Sequence, residues 1–166
     1  MSVSEANMSE RLYHPSYVDI QDACVGIAKQ IRLYNLKIDT IVGVSRGGLV
    51  PANELSHMLN IPMTPVSYSS KRGQGDNRDH ANKLPEFRNQ TILIFDDICD
   101  SGHTLEELAD HYVRGSDMNG DWNNTVYTGC IYYKKRSVPA HITNFSWLTI
   151  PEDAPWVIFP WETCQI

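Results

Sequence analysis

The run from Ile92 to Thr104, I-L-I-F-D-D-I-C-D-S-G-H-T, restricts this chain more than any other segment. Its apolar start reads as a short buried strand. Acids follow at Asp96, Asp97 and Asp100, and Ser101, Gly102, His103 and Thr104 then turn the chain into a helical pattern that begins at Leu105. A strand feeding directly into a helix is the repeating step of an α/β domain, where ligands bind beyond the carboxyl ends of parallel strands. The turn has the chemistry of an anion site. Gly102 lets backbone N–H groups approach a ligand closely. Ser101 and Thr104 add hydroxyl donors, and a helix N-terminus favours phosphate. Capping alone would account for Asp100 and Ser101, but not for three acids beside a Gly-x-Thr turn.

The remaining segments extend the alternation. Ser16 reads as an N-cap, and Ile20, Cys24, Ile27, Ile31 and Tyr34 recur at helical spacing, which makes them one core-facing stripe. Thr40–Val44 reads as a strand, Ser45–Gly48 (S-R-G-G) as a turn, and Leu49–Leu59 as a helix with Pro51 tolerated near its first turn. Ile61–Tyr68 suggests a second strand, and Ser69–Gln90 is a long polar loop of the kind that often forms lids or binding loops. Thr91–Phe95, Thr125–Tyr133 and Phe145–Ile150 read as further strands, and Leu105–Val113 as a helix. The expected fold is a single α/β domain with a mostly parallel central sheet flanked by helices.

Composition removes several classes of function. A net charge of −6 leaves no basic footprint for nucleic acid. No apolar run reaches the roughly 20 residues of a membrane helix, and the start of the chain lacks a signal-peptide pattern. Cys24, Cys99, Cys130 and Cys164 form no C-x-x-C pair, so free thiols in a reducing cytoplasm are expected, not zinc or disulfides.

The Ile92–Thr104 segment resembles the diphosphoribose-binding signature of the type I phosphoribosyltransferases. S-R-G-G-L-V-P-A, one strand earlier, resembles the pyrophosphate loop of the bacterial xanthine-guanine and hypoxanthine members. W-V-I-F-P-W-E, from Trp156 to Glu162, is similar to their W-x-x-x-P-W-[DE] ending. The resemblance covers roughly Thr40 to Glu162.

It implies a 5-phosphoribosyl transfer from phosphoribosyl pyrophosphate to a 6-oxopurine, with magnesium as cofactor and an oxocarbenium-like transition state. Asp96 and Asp97 would hold the ribose hydroxyls, and Asp97 would help place the metal. Asp100 to Thr104, including Ser101, Gly102 and His103, would cradle the 5′-phosphate, although the His103 side chain sits at a variable position. Arg46 and Gly47 would bind pyrophosphate, and one of the loop's Lys71, Arg72 and Arg78 would join them, Arg72 first among the three. Aspartate at position 100 marks the 6-oxopurine members, where a carboxyl near N7 can exchange a proton. Lys134 would donate to the 6-oxo group, with Lys135 and Arg136 as neighbours that leave the assignment ambiguous by one position. Trp156 would stack on the base and Val157 would offer backbone groups to its edge.

The polar stretch 1–15 reads as an arm or short leading segment, and by the same resemblance the chain would have a mobile active-site loop over 69–90 and a small C-terminal hood with the base-binding segment over 134–166. It would act in the cytoplasm as a dimer or tetramer. The alternatives are a regulator of this fold that senses phosphoribosyl pyrophosphate or a nucleotide and binds nucleic acid, or an enzyme for another base.

Overall fold

The computed structural model describes residues 13–68, 84–115, 122–135 and 143–162. Helix α1 spans Tyr17–Leu33 and opens on a capping box: Ser16 Oγ accepts from the Asp19 amide, and Asp19 accepts from the Ser16 amide at 2.9 Å. Its buried face carries Ile20, Ala23, Cys24, Ile27, Ala28 and Ile31. Tyr34 leaves the predicted stripe. The helix ends at Leu33, Asn35 takes a left-handed φ of 51°, and Tyr34 is 67% exposed.

Strand β1 (Thr40–Ser45), helix α2 (Leu49–Leu59) and strand β2 (Met63–Ser67) follow. Next come strand β3 (Thr91–Cys99), helix α3 (His103–Arg114) and strands β4 (Thr125–Lys135) and β5 (Phe145–Pro151). All four pairings are parallel, in the order β2-β1-β3-β4-β5. Parallel strands buried on both faces need apolar residues at every position, and Ile92, Leu93, Ile94 and Phe95 on the central β3 are fully buried. Leu93 and Phe95 pack with α1 and α2, whereas Ile92 and Ile94 pack with Leu105, Leu108 and Tyr112 of α3. The sheet is therefore a middle layer with a core on each side.

Several boundaries differ from expectation. Strand β3 runs to Cys99 because its ladder continues past the apolar run, with Asp96 opposite Cys130 and Cys99 opposite Tyr133. Asp96 and Asp97 thus lie within the strand, not after it. Strand β4 likewise continues through Lys134 to Lys135. The 134–166 stretch begins in the sheet, since Lys134 and Lys135 pair with Ile150 and Pro151 of β5, and 152–162 then run irregularly. The arm residues 1–12, the loop residues 69–83 and Cys164 fall outside the described residues, and the other three cysteines are buried and unbridged.

Candidate active site

The strand order places the site. After β1 the chain adds β2 on one side, then returns to add β3 on the other. Such a reversal opens a crevice beyond the carboxyl ends of the two central strands. The end of β1 with its loop, Ser45–Gly48, lies there, and so does the end of β3 with its turn, Asp96–Gly102.

Glycine is required at two positions of the first loop, which opens on a cis peptide between Ser45 and Arg46. A Cβ on Gly47 would sit 2.9 Å from Oδ1 of Asp97 and closer still to Oδ2. A Cβ on Gly48 would sit 2.7 Å from the carbonyl oxygens of Val44 and Phe95 and 2.8 Å from Cα of Asp96. Only bare backbone fits between the loop and the acids. Arg46, beside them, is exposed.

The two acids are held by the backbone that follows each of them. The Asp97 amide donates to Oδ1 of Asp96 at 2.9 Å, and the Ile98 amide donates to Oδ1 of Asp97 at 2.8 Å. Burial pushes the Asp96 carboxyl well above the ordinary range, and the charge of Asp97 adds to the effect. Asp97, only 9% exposed, is pushed up to about 6, first by burial and less by the charge of Glu162, against the lowering from its hydrogen bonds with Asp96 and the Ile98 amide. Two adjacent acids, Asp97 buried and Asp96 half-buried, form a place where a cation, or the hydroxyls of a sugar, would be welcome.

Beyond the acids, Gly102 takes φ 80° and caps α3 without a side chain. His103 Nδ1 lies 3.1 Å from Oγ of Ser101. Gly102 is buried, Ser101 and Thr104 are half-buried, and His103 is exposed. Asp100 meets Lys134 across the sheet, with Nζ 3.7 Å from Oδ1 and the lysine side chain only 13% exposed. The register explains the pairing: Cys99 is opposite Tyr133, so the next residue of each strand comes level. Lys135 is exposed.

The structure therefore brings together Gly47, Asp96 and Asp97, then Ser101, Gly102, His103 and Thr104, and then Asp100 and Lys134. Trp156 is 59% exposed, while the Val157 side chain is fully buried in the core with Phe159. Arg72 lies outside the described residues. Two acids add to the predicted set. Glu107 on α3 accepts from the Tyr68 hydroxyl at 2.7 Å, which ties the end of β2 to the turn helix. Glu162 accepts from the Phe159 amide at 3.0 Å and reaches Asp97 electrostatically. The only sequence signal for Glu107 is its helical spacing of four from His103.

Comparison with known proteins places the fold. A model described as the phosphoribosyl transferase domain matches residues 16–165. Xanthine-guanine phosphoribosyltransferase from Cereibacter sphaeroides is 31% identical over 127 residues, covering 74% of this chain and 68% of the relative. The protein of that name from Roseobacter denitrificans is 29% identical over 132 residues, covering 74% and 67%. Among solved structures, a hypothetical protein from Neisseria gonorrhoeae with bound ppGpp superposes with a TM-score of 0.67 at 25% identity, over 90% of this chain and 88% of that one. A purine phosphoribosyltransferase from Pyrococcus horikoshii shares the fold, with a TM-score of 0.69 at 24% identity over 92% and 95%. With its crevice, acid pair and glycine turn on the matched segment, this chain belongs to the phosphoribosyl transferase domain family.

Proposed function

We propose that the chain transfers a 5-phosphoribosyl group from phosphoribosyl pyrophosphate to a 6-oxopurine, guanine, xanthine or hypoxanthine. The products are the nucleoside 5′-monophosphate and pyrophosphate. The observation that carries the base class is the Asp100–Lys134 pair, at 3.7 Å, set beside the phosphate turn. An acceptor carboxylate and a point-charge donor suit the N7 and 6-oxo edge of an oxopurine. The named relatives support the same class.

In this reading the Ser101–Thr104 turn takes the 5′-phosphate, and Asp96 and Asp97 hold the ribose hydroxyls. Arg46 and the Gly47 backbone face the pyrophosphate. As the bond from C1′ to pyrophosphate breaks and the bond to the base nitrogen forms, Asp100 exchanges a proton at N7 and Lys134 holds the 6-oxo group. Trp156 supplies an exposed indole for stacking, and the backbone at Val157 is left to meet the base edge.

Magnesium fits the donor set. Among the described residues no group of three or more His, Cys, Asp or Glu forms a metal cage, and magnesium is commonly held by one or two carboxylates together with substrate phosphates and water. Asp97, with Asp96 beside it, would hold the ion, which when bound neutralises charge on the leaving pyrophosphate.

The test is an assay with phosphoribosyl pyrophosphate, magnesium and, in turn, guanine, hypoxanthine, xanthine, adenine and uracil. Turnover of adenine or uracil alone would refute the oxopurine assignment. Asp100→Asn should lower kcat far more than it weakens nucleotide binding, and unchanged kcat would remove the proton-exchange role. A regulatory reading has one observation in its favour, the ppGpp held by the Neisseria relative. Nucleotide binding without turnover of any base, joined to a salt-dependent shift of RNA or DNA on a gel, would favour it.

A further inference from the structure

The side chain of His103 has no role in the chemistry above, which uses only the backbone of that residue. Yet it is exposed at the mouth of the phosphate turn, on the first residue of α3, and its Nδ1 lies 3.1 Å from Oγ of Ser101. The two side chains flank Gly102, whose φ of 80° folds the backbone so that residues 101 and 103 face each other. A serine hydroxyl has one proton and two lone pairs. If that proton is spent on Nδ1, Ser101 presents lone pairs to an incoming phosphate and repels it. If Nδ1 carries a proton and donates to Oγ, the hydroxyl proton is free to point at a phosphate oxygen. The imidazole therefore decides which way Ser101 faces.

We propose that His103 is a positioning residue for the 5′-phosphate, donating from Nδ1 to Oγ of Ser101 so that the hydroxyl donates to the phosphate. This deepens the phosphoribosyl reading and rests on it. Neighbouring hydrogen bonds of this kind strengthen one another. The role also differs from helix capping, because α3 is capped at Gly102 without any side-chain hydrogen bond.

The experiment compares wild type, His103→Ala and His103→Asn. Asparagine can place an N–H donor at the depth of Nδ1. The readouts are the calorimetric Kd for GMP, and the KM for phosphoribosyl pyrophosphate and for guanine in one assay. His103→Ala should raise the GMP Kd and the KM for phosphoribosyl pyrophosphate by about fivefold, the worth of one net hydrogen bond. It should leave the KM for guanine, which carries no phosphate, within about twofold on the same scale. His103→Asn should return both phosphate-dependent values to within about twofold of wild type. Unchanged phosphate-dependent values in His103→Ala, equal losses for guanine and phosphoribosyl pyrophosphate, or no rescue by asparagine would each overturn the proposal. A wild-type chain that neither binds GMP nor turns over any base would instead overturn the phosphoribosyl reading, and this role with it.

Discussion

Replacing Asp97 by asparagine keeps the shape of the side chain and its acceptor for the Ile98 amide, at 2.8 Å, removes the charge, and puts an amide donor in place of one carboxylate oxygen. Asp97 is 9% exposed and its carboxyl titrates near 6 against an ordinary value of 3.8. A carboxyl whose folded pKa lies above its unfolded one binds its proton more tightly in the folded chain. Its contribution to stability is complete below about 3.8 and is lost as the pH rises through about 6. The rise of about 2 pH units, at about 1.4 kcal/mol each, means that ionising Asp97 destabilises the ligand-free chain by about 3 kcal/mol at neutral pH. Asp97→Asn should therefore be the more stable protein at pH 7.5 and should lose most turnover. Removing the charge also relieves Asp96, whose carboxyl is raised by burial and then by Asp97, so the gain should not fall short through that neighbour. The assay is urea unfolding in the presence of a chelator, for both proteins, at half-unit steps from pH 4 to pH 8. The stability gap should open between about pH 4 and pH 6 and should not close above. A constant gap across that range, or a variant less stable than wild type at pH 7.5, would refute the picture of a buried Asp97 held ready for a cation or a sugar.

The two loop glycines should fail in different ways. Gly48→Ala meets three backbone atoms at 2.7–2.8 Å and should lower unfolding stability by about 2 kcal/mol or more, whereas Gly47→Ala meets the Asp97 side chain and should fold but lose most turnover, as circular dichroism and an activity assay would show. Lys134→Ala should raise the KM for the base by about tenfold or more, the worth of a charged donor, while exposed Lys135→Ala should change it little in the same steady-state assay. Gly26→Ala would ordinarily steady a helix by about 1 kcal/mol, but its Cβ would overlap the Trp147 ring. It should destabilise the chain in wild type and stabilise it once Trp147 is also alanine, which a double-mutant cycle measured by thermal melting would reveal.

Much of the site could be read from the sequence because its chemistry is contiguous. Asp96 to Thr104 occupies one strand end and the turn after it, so the residue types carry both the local geometry and the ligand class. The same holds for Ser45–Gly48, where only glycine lets the loop lie against the acids. Element ends were harder, for a physical reason. Apolar runs report continuous burial, and on β3 that continuity gives way to alternation at Asp96 while the backbone ladder goes on to Cys99. The helix stripe likewise carried one step too far, to Tyr34, because spacing alone does not register the left-handed turn at Asn35.

What the sequence could not supply is partnership between distant strands. Lys134, Lys135 and Arg136 are equivalent as a string, and the distinction between the two lysines comes from the register of β4 on β3. With Cys99 level with Tyr133, Lys134 arrives beside Asp100 and Lys135 turns outward. Because side chains alternate along a strand, a slip of one residue would exchange the two lysines and break the pair. That register is maintained earlier along the two strands, by the matches of the buried β3 residues from Ile92 with Val126 to Phe95 with Gly129. Gly129 is part of it, since a Cβ there would approach the Phe95 ring to 2.7 Å. The identity of the residue facing Asp100 is thus decided by packing in the middle of the sheet, several residues before the chemistry begins.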